Sequence, residues 1–146
     1  MTSTPSRPSV LFVCVKNGGK SQMAAALMRH LAGDEVEVHS AGTRPGSAVN
    51  ALSAETVAEL GADMSGQTPR AIDSEILRRA DRVIVLGDEA QINPVQGMTG
   101  TIEVWRTDEP SHRGIDGMER MRLVRDDITQ RVTTLIDELL HVENAK

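Results

Sequence analysis

The chain is predicted to be an α/β protein: a single-domain, doubly wound, four-stranded parallel sheet flanked by helices. Three observations predict this. Val10-Leu11-Phe12-Val13 and Arg82-Val83-Ile84-Val85-Leu86 are short, nearly continuous apolar runs, the pattern of strands buried on both faces. Segments of helical period separate most of the strand-like runs. The 146 residues suffice for one core and give no internal repeat or linker at which to split it.

Taken in order, Met1 to Pro8 is polar with two prolines and is expected to be a disordered lead, leaving residues 9–142 as the domain. Residues 9–14 read as the first strand, and residues 21–32 as a helix stopped near Gly33. Residues 35–40 (EVEVHS) alternate and read as a second strand, with residues 40–46 turn-rich after it. Residues 50–60 read as a helix ending at Gly61, and residues 73–80 as a short helix capped by Asp73. Residues 82–86 and 101–105 are the third and fourth strands, and residues 107–117 a polar loop. From Met118 to about His141, Met121, Val124, Ile128, Val132, Leu135 and Leu139 form one face of a long helix. Arg113, Arg120, Arg122 and Arg125 read as a solvated or ion-paired face beside Glu119, Asp126 and Asp127.

Composition excludes several functions. A net charge of -5 and only two aromatic residues, Phe12 and Trp105, argue against nucleic-acid binding. No apolar stretch approaches the roughly 20 residues of a membrane span. The four histidines and one cysteine show no metal-ligand spacing. A single cysteine makes no internal disulfide, which fits a reducing cytoplasm.

That cysteine, Cys14, ends the first strand and opens the loop Cys14-Val15-Lys16-Asn17-Gly18-Gly19-Lys20-Ser21, which leads into a helix. A strand, a Gly-rich loop and a helix N-terminus form a cradle of inward N–H groups for a tetrahedral oxyanion. The same field favours a thiolate at Cys14. Two of the chain's three lysines, Lys16 and Lys20, lie in this loop, against 13 arginines in all. Lys16, Asn17, Gly18, Gly19 and Lys20 are therefore the candidate oxyanion-binding residues. Gly19-Lys20-Ser21 also matches the end of the nucleotide-binding G-x4-G-K-[ST] loop, but Cys14 occupies the place of its first glycine. In doubly wound sheets ligands bind at the carboxyl ends of the strands. Cys14 after the first strand and Asp108 after the fourth are thus expected over one crevice.

Cys14-x5-Lys20-Ser21 with a downstream Asp108-Glu109-Pro110 segment resembles the low-molecular-weight protein tyrosine phosphatase family, which includes an arsenate reductase branch. Three departures from the phosphatases occur together: Lys20 replaces the loop arginine, Glu109 is inserted before Pro110, and the aromatic grip on phosphotyrosine is missing. These features, with the segments CVKNGGKSQMAA and TDEPSHRGIDGMERMRLVRDD, are similar to the actinobacterial arsenate–mycothiol transferases. The resemblance implies that arsenate is joined to mycothiol as an adduct that a mycoredoxin reduces to arsenite, with no bound cofactor. Cysteine arithmetic agrees, because one cysteine permits no relay within the chain and the reducing thiol must come from outside.

The roles expected are Cys14 as nucleophile, Lys20 and the loop amides as charge stabilisers, Lys16 as added positive field and Asn17 as the residue fixing the loop. Ser21 donates to the Cys14 thiolate. Asp108 is the expected general acid with Glu109 as its competitor, and Arg113 is a candidate contact for the thiol or the mycoredoxin. A phosphatase of small or protein phosphoesters and a non-catalytic oxyanion-binding protein remain the alternative functions.

Overall fold

The computed structural model describes residues 7–141. The expectation of a disordered lead over residues 1–8 falls outside these residues except at its end. There Arg7 donates to Asp34 O (3.1 Å) and Pro8 O accepts from Glu37 N (2.8 Å).

Strands β1 (Ser9–Cys14), β2 (Glu37–Gly42), β3 (Arg82–Leu86) and β4 (Thr101–Trp105) form one parallel sheet in the order β2-β1-β3-β4. Helices α1 (Lys20–Ala32), α2 (Ala51–Ala58), α3 (Ser74–Arg79) and α4 (Gly117–His141) complete the α/β fold. The order reverses between β1 and β3, so the carboxyl end of β1, where Cys14 stands, is the switch point.

The two-residue side-chain period of a strand divides the core. Val10, Phe12, Ile84, Leu86 and Trp105 face α1 and α4, against Met23, Leu27, Ile128 and Val132. Leu11, Val13 and Val83 face the other way, against Leu77, Ala80 and the partly buried Ile92, Val95 and Met98. Burial of a side chain such as Phe12 or Ile128 contributes about 1.5–3 kcal/mol. The two aromatic residues meet, with ring centroids 5.9 Å apart. Asn50 caps α2 by accepting from Ser53 N, and Asp73 caps α3 by accepting from Glu75 N and Ile76 N. Each cap is worth about 1 kcal/mol.

Two elements differ from the sequence reading. The second strand runs from Glu37 to Gly42 rather than over residues 35–40, because Ser40, Ala41 and Gly42 pair with Phe12, Val13 and Cys14. These small residues resemble a turn but sit beside the incoming loop, where bulk is excluded: a Cβ on Gly42 would lie 2.6 Å from Val15 O and 3.0 Å from Asn17 N. The expected loop at 107–117 contains a 3-10 turn, Pro110–Arg113, started by proline and closed by left-handed Gly114. Among the described residues no helix is long and apolar enough to cross a membrane, and no His/Cys/Asp/Glu group forms a metal site.

Candidate oxyanion and thiol site

Cys14 is half-buried at the sheet's carboxyl edge, and the chain turns there into the loop of residues 15–19. The 42–50 segment holds this loop from outside. Thr43 N donates to Cys14 O (3.1 Å), Arg44 N to Val15 O (2.8 Å), Gly46 N to Lys16 O (2.9 Å) and Asn50 N to Gly18 O (2.6 Å). With the carbonyls of Cys14, Val15, Lys16 and Gly18 occupied in this way, the loop's N–H groups are left for a ligand. Among the described residues, the N–H groups of Lys16, Asn17, Gly18 and Gly19 have no protein acceptor. That is the geometry of an anion nest, and α1 begins at its edge with Lys20.

Asn17 sets the loop's shape. Its φ is +54°, a left-handed conformation that asparagine tolerates better than most residues, and it is fully buried. Its Oδ1 accepts from Gln22 Nε2 (3.2 Å) and from Arg70 N (3.0 Å), while its Nδ2 donates to Ser21 Oγ (2.8 Å). Ser21 Oγ lies 2.9 Å from Cys14 Sγ. Because the serine oxygen accepts from Asn17, its own proton is free to point at the sulfur. The expected roles of Asn17 and Ser21 thus have a geometric basis. Gln22 and the Arg70 backbone, which orient Asn17, are absent from the sequence reading. A glutamine in the first turn of a buried helix was the available signal for one of them.

Lys20, Glu109, His112 and Arg120 line a cavity of about 360 Å³ with Cys14, Val15 and residues 86–89. Lys20 Nζ is ion-paired with Glu109. Lys16, Gly18, Gly19 and Lys20 also line a neighbouring cavity of about 650 Å³, walled by residues 46–51, Arg120, Met121 and Val124.

Asp108 and Glu109 point to different partners. Asp108 is clamped by Arg113 through two bonds, Nη1 to Oδ1 (2.8 Å) and Nη2 to Oδ2 (3.2 Å). The hydrogen bond from that guanidinium holds the Asp108 carboxyl below the ordinary carboxylate range, against the opposing effect of desolvation. Glu109, not Asp108, is the carboxylate beside Lys20 in the cavity wall. Arg113 is thereby committed to Asp108. The whole loop is anchored on α4, where Asp127 accepts from Asp108 N (2.8 Å) and pairs with Arg131, whose Nη2 donates to Arg106 O (2.8 Å).

The arginines assigned together to an ion-paired face also divide. Arg122 and Arg125 both bond Glu59, and Arg125, nearly buried, donates to Thr56 O as well (3.0 Å), tying α4 to α2. Arg120 makes no ion pair or side-chain hydrogen bond among the described residues, and its Nε is buried without a partner.

The chain is 35% identical over 127 residues to an arsenate reductase of Bacillus subtilis, covering 84% of this chain and 91% of that one. It superposes on a Corynebacterium glutamicum thioredoxin-dependent arsenate reductase with a TM-score of 0.74 at 32% identity, covering 91% of this chain and 62% of that one. It thus spans less than two thirds of the Corynebacterium protein. A structure described as an arsenate reductase in the phosphate binding state superposes with a TM-score of 0.75 at 28% identity, covering 90% and 98%. Residues 9–144 match the family model described as low molecular weight phosphotyrosine protein phosphatase, and the chain belongs to that family.

Proposed function

We propose that this protein is an arsenate reductase that condenses arsenate with an external low-molecular-weight thiol, mycothiol, in the reducing cytoplasm. The observation that carries the reading is a lone cysteine, bonded to Ser21, that opens a loop whose N–H groups have no protein acceptor among the described residues. The names of the relatives support arsenate as the oxyanion. The single cysteine supports an external thiol, since this sequence has no second cysteine to form a disulfide with Cys14.

The chemistry follows from the groups in place. The nest, Lys20 and the field of Lys16 hold arsenate and stabilise charge on its oxygens. Cys14 attacks arsenic, forming a sulfur–arsenic bond, and one arsenic oxygen departs as water, which requires a proton. Glu109 is the acid we assign. When the oxyanion takes Lys20 as its partner, Glu109 is released from that ion pair to serve the departing oxygen. Mycothiol then displaces Cys14 from arsenic. A mycoredoxin thiol attacks the mycothiol sulfur of the adduct, so two thiols become a disulfide and arsenic(V) leaves as arsenic(III).

The test is arsenate-dependent NADPH consumption with mycothiol, mycoredoxin and mycothiol disulfide reductase, with aryl phosphate hydrolysis run in parallel. Turnover that requires mycothiol and is abolished by Cys14→Ser is expected. Turnover with thioredoxin and thioredoxin reductase alone would overturn the assignment of the thiol. Aryl phosphate cleavage without arsenate turnover would make the protein a phosphatase.

A further inference from the structure

We infer that Arg120, on the first turn of α4, is a second oxyanion-binding cation of the Cys14 cavity, supplying the guanidinium that the loop itself lacks. The inference rests on the reading above of the cavity as an oxyanion site. Three observations carry it.

First, Arg120 is the conspicuous exception among the arginines around α4. Arg113, Arg122, Arg125 and Arg131 are each held by a carboxylate, whereas Arg120 has no such partner among the described residues. Its Nε is buried and unsatisfied. A buried donor without an acceptor is costly and calls for an explanation, commonly a group that binds there. The exposed Arg44 and Arg70 pose no such problem, because water satisfies them.

Second, its position is electrostatically unfavourable for the resting protein. A cation in the first turn of a helix opposes the positive end of the helix dipole, and Arg120 also shares both cavity walls with Lys20. The cavity's acidic residues do not compensate it. Glu109 is paired with Lys20 and Asp88 with Arg106, while Glu89 forms no ion pair with Arg120. A bound anion relieves this excess of positive charge.

Third, Arg120 and Lys20 are the only residues common to the Cys14 cavity and its larger neighbour. Because Lys16, Gly18 and Gly19 of the nest line the larger cavity and Cys14 the smaller, Arg120 stands where the nest and the sulfur meet. Lys20 is a point charge, whereas a planar guanidinium takes two oxygens at once. A guanidinium reaching in from α4 restores bidentate recognition from outside the loop.

The experiment is calorimetric titration of the full-length protein with inorganic phosphate, together with arsenate kinetics, for wild type, Arg120→Met, Arg120→Lys and Arg122→Met. Arg120→Met is expected to weaken phosphate binding about tenfold, equivalent to about 1.4 kcal/mol. It should raise the arsenate KM by a similar factor with kcat little changed, the signature of lost uniform binding. Arg120→Lys should recover part of the loss. Arg122→Met, which removes the Glu59 partner on the same helix, should leave phosphate affinity unchanged, separating a local role from a general effect of charge or of α4. Phosphate affinity of Arg120→Met within twofold of wild type overturns the inference, even if wild type reduces arsenate. Failure of wild type to turn over arsenate sinks the functional reading instead, and the phosphate titration still decides the role of Arg120. Absence of phosphate binding in wild type overturns both.

Discussion

Lys20 at the start of α1 and Glu109 in the loop after β4, 89 residues apart in sequence, are ion-paired across the wall of the Cys14 cavity. The pair couples the one cation of the Cys14 loop seated in that wall to the one glutamate that reaches it from the β4–α4 loop. Under the proposed mechanism, an incoming oxyanion competes with Glu109 for Lys20 and so frees that carboxylate as it binds.

This coupling makes opposite demands of the two adjacent acids. Glu109→Gln should lower arsenate turnover by about 10²–10⁴, the usual contribution of a general acid. It should leave phosphate binding intact or tighter, because a competing carboxylate is gone. Asp108→Asn should keep most of the turnover, since its side chain is engaged by Arg113 rather than by the cavity. Steady-state rates beside phosphate titrations decide the matter. A dead Asp108→Asn with an active Glu109→Gln would return the acid role to Asp108.

Asn17 bonds three other residues around the site, and its loss should be felt as stability before it is felt as chemistry. Asn17→Ala removes bonds to Ser21, Gln22 and Arg70 and places an alanine at a positive φ. Unsatisfied buried partners cost about 1–3 kcal/mol and the left-handed backbone about 1 kcal/mol, so urea denaturation should show a loss of about 3 kcal/mol. Asn17→Gly should recover the backbone share alone. Equal stabilities for the two variants would show that backbone strain plays no part.

The contrast between Asn17 and Glu109 shows what was legible in advance. The strand, the loop and the helix from Val10 to Met28 are contiguous, so each role there followed from local order: Cys14 at a strand end, glycines at the turn, Ser21 seven residues from the cysteine on the first helical turn. The burial of β1 and β3 was equally accessible, because both runs are apolar on both faces. By contrast, residues 107–117 have no regular period that says which side chain turns inward, and a choice between Asp108 and Glu109 depends on Arg113 and Asp127 arriving from a 3-10 turn and a helix. Arg120 was indistinguishable from Arg122 for a similar reason. They are two arginines of one helix set two positions apart, and only the packing of α4 against α2 decides which of them meets Glu59. The second strand slipped by two residues because small residues that fit a crowded sheet end also suit a turn.

Acidification offers a test of the α2–α4 joint away from the site. Hydrogen bonding from Arg122 first, and then from Arg125, pulls the Glu59 carboxyl down from 4.5 to about 2 against a smaller opposing effect of desolvation. A folded-state value below the unfolded one gives stability that is fully present above the unfolded value and lost as pH falls through the folded one. The stability difference between wild type and Glu59→Gln should therefore be constant from pH 7 to about 5.5 and should close between about pH 4.5 and 2. Urea midpoints measured over that range check it. A difference that persists unchanged at pH 2.5 would mean that packing, not charge, sets the contribution of Glu59.

The loop lysine and the helix arginine should prove partly interchangeable, since both are assigned to one anion. Lys20→Arg places a planar fork beside the nest, and bidentate clamping is what phosphoryl oxygens favour. It should raise hydrolysis of a simple aryl phosphate about tenfold, a gain of about 1.4 kcal/mol. In the same background, Arg120→Met should cost less in phosphate affinity than it does with Lys20 present, about threefold instead of tenfold, because residues that share one ligand are not additive. A double-mutant cycle on phosphate dissociation constants reads this directly. Strict additivity would place the two cations on separate ligands. No gain in aryl phosphate cleavage would mean that the lack of aromatic side chains, rather than the charge at position 20, keeps phosphoesters from being turned over.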